Sequence, residues 1–485
     1  MEALYTSLVP ISELTDSISN ILKVRYNLGN SNLSDSISTI NEFLKPFRGD
    51  LHTLLEHPYV DKTYRDTYYN YFASKRDDYP RNTIRISFFD SAIKEDDFRK
   101  SEFIQALDEK YLGFLIIRPT FPFVIGRNVI APKAFKDSDF LSCKVNYSAT
   151  ANGVKLTVSG FPHSSQDQET ITCAETTVWS ILEYFGNRYS EYRPTLPSQV
   201  NQVLSKFSFE RLVPSKGLTA GQISYALREF GFGVKIYSKS AYKDDFLRLL
   251  RVYVESGVPV VGVLQNAEIG HALNIIGRTR ITQNAIDSLS IHKTFGNNVN
   301  VYDFADIDID YVFIDDNFPP YRNAKLENPA SNYGTRWNGC QITNFIVPLY
   351  PKIYMEAGEA RKTALSLIEN LGLITNKDIL IKTFLASSRS FKNSIALNDS
   401  LEADAKELLL SISMPKFIWV MEISDKRLIM SGLATGMVVL DATEPKRFGI
   451  IAALIENFYL AKDLTTITKI NLPLQPFSDF KNNLN

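Results

Sequence analysis

The chain has 485 residues, 44% of them hydrophobic and 12% aromatic, which suits two to four domains with ordinary apolar cores. Its 53 Lys and Arg residues balance 54 Asp and Glu residues, so the near-zero net charge does not favour a nucleic acid or an anionic membrane as a partner. The three cysteines, Cys143, Cys173 and Cys340, have neither the spacing of a disulfide framework nor that of a zinc site, and we expect no metal or cofactor.

The first residues, MEALYTSLVP, lack the basic and apolar regions of a signal peptide. The longest apolar runs, GVPVVGVL and FGIIAALI, are too short to cross a bilayer. We therefore expect a soluble, cytoplasmic protein with reduced thiols and no membrane partner.

The character of the sequence changes near residues 130 and 350. Residues 1–130 contain helix-like stretches such as SDSISTINEFLKPF and SEFIQALDEKYL, each introduced by a serine that can cap a helix, and predict a mainly helical N-terminal region. Residues 131–350 mix strand-like runs with convincing helices and are predicted to form a central domain. Residues 351–485 contain helical stretches followed by apolar runs such as KFIWVMEIS and MVVLDA, which indicate a C-terminal α+β domain. The predicted fold class is α+β.

The stretch QETITCAETTVWSILEYFG, residues 168–186, places Cys173 at the start of an amphipathic helix. Apolar residues recur at steps of three and four, and Gly186 is the predicted end. Thr172 and Glu175 have the T-x-x-E spacing of a capping box, which makes Cys173 the first helical residue. The positive end of the helix dipole favours a thiolate, the reactive form of cysteine. The alternative is a buried thiol, which is the more common environment of a free cysteine.

A nucleophilic thiol needs a base, and among the five histidines the context favours His271. GVPVVGVL and HALNIIG read as two strands joined by the turn QNAEIG, so they predict a hairpin in which His271 is the first residue after the turn. A histidine that only ends a strand near solvent is the alternative. His163, in the predicted loop SGFPHSSQDQ, is the second choice because it is close to Cys173 in sequence. The remaining histidines, which lie in polar surroundings, are His52, His57 and His292.

An acidic residue follows the apolar run in YVFIDDNFPPY, residues 311–321. Asp315 is the first polar residue after this strand, which cannot continue through the two prolines. We predict that Asp315 orients His271. Asp316, which would point to the opposite face, is the alternative, and either aspartate could instead be an ordinary turn residue.

The order Cys, His, Asp, with the cysteine opening a helix and the others on later strands, resembles the papain-like cysteine peptidase fold. The nearest local resemblance is to the bacterial branch that includes bacteriocin leader peptidases. It is carried, within residues 166–321, by QETITCAETTVWSILEYFG, GLTAGQISYALREFGFGVKIY and ESGVPVVGVLQNAEIGHALNIIG. The resemblance implies a central papain-like catalytic domain in which the helix carrying Cys173 packs on an antiparallel sheet carrying His271 and Asp315.

The sequence departs from the family pattern in four respects. The separation of 44 residues between His271 and Asp315 exceeds that usual in leader peptidases, and an insertion around RTRITQNAIDSLSIHKTFGNNVNVYDFADI would account for it. The family has an oxyanion-donating glutamine six residues before the cysteine, where this chain has Asp167; Gln168 is our candidate donor, and Gln166 lies on the other side. The family often has glycine directly after the cysteine, where this chain has Ala174. The papain signature C-G-[SA]-C-[WY] is absent, so the resemblance does not extend to true papains.

The resemblance implies a cysteine peptidase that cleaves a peptide or protein amide bond through Cys173, His271 and Asp315 and an acyl-enzyme intermediate. An acyl transferase or transglutaminase-like enzyme, or a deamidase, would use the same three residues. A catalytically inactive papain-like scaffold in a larger assembly is a third reading. The expected partner is a peptide or protein substrate, and the regions flanking the central domain could dock a further protein.

Overall fold

A computed structural model describes residues 4–76, 79–170, 172–206, 218–444, 449–462 and 467–484. These residues form three large β-sheets and one two-stranded sheet, with helices packed between and around them, so the predicted α+β class is confirmed. None of the helices in these ranges combines the length and the apolar character needed to cross a membrane.

The first sheet is antiparallel and has the strand order β1-β2-β3-β4-β5-β8-β7. Five of its strands, β1 to β5, lie within residues 1–130, where the sequence pattern predicted mainly helices. β3 is buried on both faces, yet its sequence TIRISFF alternates polar and apolar residues as a strand does, so the sequence carried a strand signal that the prediction of a helical region overlooked. The sheet also continues past the predicted boundary near residue 130.

The elements of this part of the chain are β1 (Tyr5–Pro10), α1 (Ile11–Tyr26), α2 (Asn30–Leu44), β2 (His52–Tyr59), α3 (Lys62–Asn70), β3 (Thr83–Phe89), α4 (Ile104–Lys110), β4 (Tyr111–Ile117), β5 (Ile125–Ile130), β6 (Phe140–Ser142), β7 (Val145–Ala151) and β8 (Val154–His163).

The second sheet is also antiparallel and has the order β15-β14-β11-β10-β16-β9, with β6 added beside β11. The predicted hairpin is confirmed, because β10 pairs with β11 and Leu264 lies opposite His271. The elements of this part are α5 (Cys173–Arg188), α6 (Pro197–Ser205), α7 (Ala220–Glu229), β9 (Gly233–Ser238), α8 (Lys239–Tyr242), α9 (Asp245–Glu255), β10 (Val260–Gln265), β11 (Gly270–Thr279), α10 (Gln283–Asp287), β12 (Lys293–Phe295), β13 (Val299–Asp303), β14 (Tyr311–Ile314), β15 (Arg322–Ala324) and β16 (Gln341–Leu349).

The third sheet has the order β12-β13-β17-β18-β20-β21-β22-β23, and β19 pairs with β24. It takes β12 and β13 from before the predicted boundary near residue 350, and β13 runs parallel to β17. The C-terminal residues contain both helices and strands, as the sequence pattern predicts. Their elements are α11 (Ala357–Leu371), β17 (Ile379–Ser387), α12 (Ser388–Ala396), α13 (Ala403–Ser411), β18 (Phe417–Ser424), β19 (Leu433–Ala434), β20 (Gly436–Asp441), β21 (Ile450–Ile455), β22 (Phe458–Lys462), β23 (Ile467–Asn471) and β24 (Phe477–Ser478).

The second sheet lies between two apolar cores. Ala272 and Ile276 on β11 pack into the core that also contains the first sheet and α5. Leu273 and Ile275, which alternate with them, pack into the core shared with the third sheet. Because both faces of β11 are covered, its sequence HALNIIG is nearly continuously apolar. Helix α5 therefore packs against β11, which begins with Gly270 and His271.

Helix α5 continues two residues beyond its predicted end at Gly186. A Cβ atom at Gly186 would lie 2.3 Å from the backbone nitrogen of Pro194 and 2.5 Å from the carbonyl carbon of Arg193. The glycine is therefore required by the close approach of the following loop, and does not end the helix.

We predict that Gly186→Ala destabilises the protein by about 2 kcal/mol, because the added methyl group displaces backbone and outweighs the better helix propensity of alanine. The measurement is the midpoint of thermal unfolding. Gly221→Ala in α7 is the matched control, since the nearest atom to its added Cβ is 3.8 Å away. Equal midpoints for the two variants would show that the contact at Gly186 is unimportant.

Candidate functional site

Cys173 is the first residue of α5, as the capping pattern predicts. Thr172 is the N-cap, and the Glu175 carboxylate accepts hydrogen bonds from the Thr172 backbone N–H at 3.3 Å and from its hydroxyl. Cys173 is half-buried, whereas Cys143 and Cys340 are buried. Cys173 is therefore the cysteine that combines a helix N-terminus with access to solvent.

Two hydrogen bonds fix the first turns of α5 against β11. The Thr177 hydroxyl donates to the carbonyl oxygen of Ala272 at 3.1 Å, and the Asn274 amide donates to the carbonyl oxygen of Thr177 at 3.1 Å. Asn274 is completely buried, so these bonds are protected from competition with water. Since Ala272 follows His271 directly, the bonds also set the position of His271 relative to Cys173.

Asp315 is the first residue after β14, and its Oδ1 lies 3.0 Å from Nε2 of His271. Both side chains are almost completely buried. The side chain of Cys173 lies close enough to the His271 ring to raise the pKa of the imidazole. The structure thus brings together Cys173, His271 and Asp315 from a helix start, a hairpin and a strand end.

The charged forms of His271 and Asp315 stabilise each other. Burial alone would lower the pKa of His271, but the Asp315 carboxylate and the Cys173 side chain raise it well above its ordinary value. Burial alone would raise the pKa of Asp315, but the neighbouring His271 lowers it below its ordinary value. Because Asp315 bonds to Nε2, Nδ1 is the ring nitrogen that remains for proton exchange with a thiol. The site therefore favours a protonated imidazole beside a carboxylate.

Asp316 is also buried near the imidazole. Its Oδ1 is 3.8 Å from Nε2 of His271, beyond hydrogen-bonding distance, and its Oδ2 has no hydrogen-bond partner among the described residues. Burial and the negative charge of Asp315 raise the pKa of Asp316 to about 7. Of the two aspartates considered from the sequence, Asp315 has the geometry of the orienting residue.

Three further residues surround the His271–Asp315 pair. The Asn317 backbone N–H donates to Asp315 Oδ1 at 3.0 Å, and the Tyr333 hydroxyl donates to Asp315 Oδ2. The ring of Trp337 meets the imidazole edge to face at a centroid distance of 5.3 Å. Asn317 lies within the motif YVFIDDN, but the two aromatic residues come from the loop NYGTRWNG, where the sequence carries no signal that identifies them.

His163, the second choice of base, ends β8 of the first sheet and is completely buried. Its Nε2 is 3.0 Å from the backbone carbonyl oxygen of Asp315, and its Nδ1 is 2.8 Å from the Asn128 amide nitrogen. A carbonyl oxygen can only accept, so Nε2 carries the proton and Nδ1 accepts from Asn128. Burial lowers the pKa of His163 to about 4, which keeps the ring neutral at neutral pH. His163 therefore acts as a neutral hydrogen-bond donor that fixes the backbone at Asp315.

The loop before Cys173 contains the predicted oxyanion donor. Gln168 is exposed and has a φ of 60° at the tip of a turn. The turn is formed by Asp167, whose Oδ1 accepts from the backbone N–H groups of Glu169 at 2.9 Å and Thr170 at 2.7 Å. Within the described part of the chain, no hydrogen bond connects the Gln168 side chain with Cys173 or His271, and its role as a donor stays a prediction.

Gln166, two residues earlier, is connected to the site. Its amide donates to Asn317 Oδ1 at 2.9 Å, and its backbone carbonyl accepts from the guanidinium of Arg118 at 2.7 Å. Arg118 is buried and also donates to the carbonyl oxygen of Ser165 at 2.8 Å. Arg118, which no sequence pattern identified, directly follows β4 and anchors this loop.

Two groups of side chains in the described ranges have the proximity needed for a metal ion. In the second group, Arg248 bonds to Asp306 at 2.9 Å and Arg361 bonds to Asp303, so the guanidinium groups already balance these carboxylates. In the first group, the Asp315 carboxylate already bonds to the imidazole at 3.0 Å, whereas Asp316 lies 3.8 Å from the same ring nitrogen. The two groups are His271, Asp315 and Asp316, and His292, Asp303 and Asp306.

We predict that His163 makes the protein less stable in mild acid. An unfolded histidine binds its proton near pH 6.5, whereas folded His163 stays neutral down to about pH 4, so stability falls as the pH drops through this window. From pH 7.5 to 5.0 the loss is about 2 kcal/mol. His163→Gln can still donate to Asp315 and accept from Asn128 but does not titrate. Urea unfolding at both pH values measures the difference, and equal losses in the two proteins would contradict the assignment.

The sequence matches no protein-family model and no curated protein. The function of this site must therefore be inferred from its own chemistry.

Proposed function

We propose that the protein is a cysteine peptidase that cleaves a peptide or protein amide bond through Cys173, His271 and Asp315. The observation that carries the proposal is the hydrogen bond of 3.0 Å between the His271 imidazole and the Asp315 carboxylate, close to a cysteine on the first residue of a helix. The packing of that helix on the antiparallel sheet that carries the imidazole supports the papain-like architecture expected from the sequence.

The first half-reaction forms an acyl-enzyme. His271 takes the proton of Cys173, and the helix N-terminus and the raised pKa of His271 both favour the resulting pair of thiolate and imidazolium. The thiolate attacks the carbonyl carbon of the substrate, and the negative charge that develops on the carbonyl oxygen is stabilised by the backbone N–H of Cys173, with Gln168 as the predicted second donor. His271 then gives its proton to the leaving amine as the C–N bond breaks.

The second half-reaction releases the acyl group. His271 removes a proton from water, the hydroxide attacks the thioester, and the thiol leaves with a proton restored from the imidazole. Asp315 keeps the ring oriented through both steps, and Tyr333 and Asn317 hold Asp315 in turn. If an amine replaces water, the same steps give acyl transfer, and if the attacked amide is a glutamine side chain they give deamidation.

We predict that Cys173 reacts with iodoacetamide rapidly at pH 6, where an ordinary thiol is almost fully protonated. His271→Ala should lower that rate on the order of tenfold, because the cation that stabilises the thiolate is lost. The measurement is the alkylation rate at each cysteine, followed by mass spectrometry of peptides. Cys143 and Cys340, which are buried, are internal controls that should react only after unfolding. A slow reaction of Cys173 with an ordinary pH profile would favour the inactive scaffold.

We predict that Asp315→Asn impairs the site far more than Asp316→Asn. Asp315 bonds to His271 at 3.0 Å and favours its protonated form, whereas Asp316 lies at 3.8 Å. The Asp315 variant should lose on the order of 10²- to 10⁴-fold in turnover, and the Asp316 variant less than tenfold. Both variants lose a buried carboxylate, so each controls for the structural effect of the other. The opposite ranking would make Asp316 the orienting residue.

Turnover is measured by incubating the protein with a peptide library of diverse sequence and identifying the products by mass spectrometry. New chain termini identify hydrolysis, glutamate in place of glutamine identifies deamidation, and attachment of an added primary amine identifies transfer. The Cys173→Ala variant, which lacks the thiol, is the negative control. Products that form equally with this variant would refute a role of the thiol.

A further inference from the structure

A second site lies in the first sheet, apart from Cys173. The hairpin of β7 and β8 bends back over the sheet, so that the backbone N–H of Asn152 at its turn reaches Glu56 of β2 at 3.0 Å. A cavity of about 300 Å³ remains between the hairpin and strands β2 to β5. Its charged lining residues are all cations, and no carboxylate lines it in the described ranges: Lys62, Arg85, Arg127 and Lys155.

These cations are only partly neutralised. Arg127 bonds to Asp61 at 2.5 Å through Nε and to Tyr147 at 2.8 Å through Nη1, but its Nη2 has no hydrogen bond among the described residues. Lys62 is 3.9 Å from its nearest carboxylate, that of Glu183. Lys155 is exposed and has no ion pair in the part of the chain that the structure describes. Hydrogen-bond donors therefore remain available to a ligand.

Arg85 is the most constrained of the four, since it is only 2% exposed. Its Nη1 donates to the Tyr59 hydroxyl at 3.0 Å and to the carbonyl oxygen of Thr150. Its Nε has no hydrogen-bond partner among the residues that the structure describes, and the nearest carboxylate oxygen there, on Glu56, is 3.8 Å away. A buried guanidinium that lacks a hydrogen-bonded counter-ion is costly, and an anion in the cavity would relieve that cost.

The walls also offer a surface for an organic group. The guanidinium carbons of Arg85 and Arg127 lie 4.9 Å and 5.1 Å from the centroid of the Phe114 ring. Both guanidinium groups therefore form cation–π contacts with the same aromatic side chain. Tyr59 and Tyr147 line the same space. Planar guanidinium groups match the oxygens of a phosphate, and the cavity is larger than a bare phosphate ion requires.

We propose that this cavity binds a compact phosphate monoester. The dianionic phosphate faces Lys62, Arg127 and Lys155, and the organic part contacts the aromatic wall. The site is independent of the proposed peptidase chemistry, because none of these residues contacts the Cys173 thiol or the His271 ring.

The test is isothermal titration calorimetry of the full chain with phenyl phosphate and with inorganic phosphate, at pH 7.5 and constant ionic strength adjusted with sodium chloride. We expect saturable binding of phenyl phosphate at one site, and weaker binding of inorganic phosphate, which lacks the organic part. Heats that sodium chloride reproduces at equal ionic strength, or titrations that do not saturate, would overturn the proposal.

The decisive variant is Lys62→Gln with Lys155→Gln, which removes two exposed cations without disturbing the buried arginines. We expect it to weaken phenyl phosphate binding at least about tenfold, since each lost cation removes a charge-assisted hydrogen bond. The control is Lys45→Gln with Lys133→Gln, two exposed lysines of the same region outside the cavity, which change the net charge equally. Equal affinities in the two double variants would place the anion elsewhere and overturn the proposal.

Discussion

The pairing of His271 with Asp315 is the interaction on which the candidate site depends. Both side chains are almost fully removed from water, and a buried charge without its partner typically costs 3–5 kcal/mol. The carboxylate is therefore surrounded by donors, from the backbone of Asn317, the hydroxyl of Tyr333 and the imidazole itself. The same burial excludes water, which would screen the attraction between the two side chains. The Asp315 carboxylate therefore keeps the pKa of His271 raised, and the imidazole can accept the proton of the thiol.

The support of this pair comes from two sheets. The second sheet supplies His271 and the strand end that carries Asp315, and the helix of Cys173 is bonded to it through Thr177. The first sheet supplies His163, which holds the backbone of Asp315, and Arg118, which holds the loop before the cysteine. The phosphate cavity proposed above lies in that same first sheet, where Arg127 directly precedes the Asn128 that bonds to His163.

The sequence predicted the elements whose signals are local. The capping pattern placed Cys173 at a helix start, the turn between two apolar runs predicted the hairpin of His271, and the abrupt end of an apolar run indicated Asp315. The strands β1 to β5 were missed because the helix-like stretches between them decided the prediction for residues 1–130, although TIRISFF of β3 alternates polar and apolar residues. The partners of Asp315 were missed for a different reason: Tyr333 is 18 residues away along the chain and His163 is 152, so neither contact has a local pattern.

The contact between His163 and the Asp315 backbone limits how much of the N-terminal region can be removed without disturbing the site. The segment that resembles a peptidase, residues 166–321, begins after His163 and contains neither Asn128 nor Arg118. Excised on its own, it would expose the carbonyl oxygen of Asp315 and release the loop that leads into α5. The N-terminal sheet is thus a structural part of the candidate site, and a shortened protein that preserves the site must start upstream of β4.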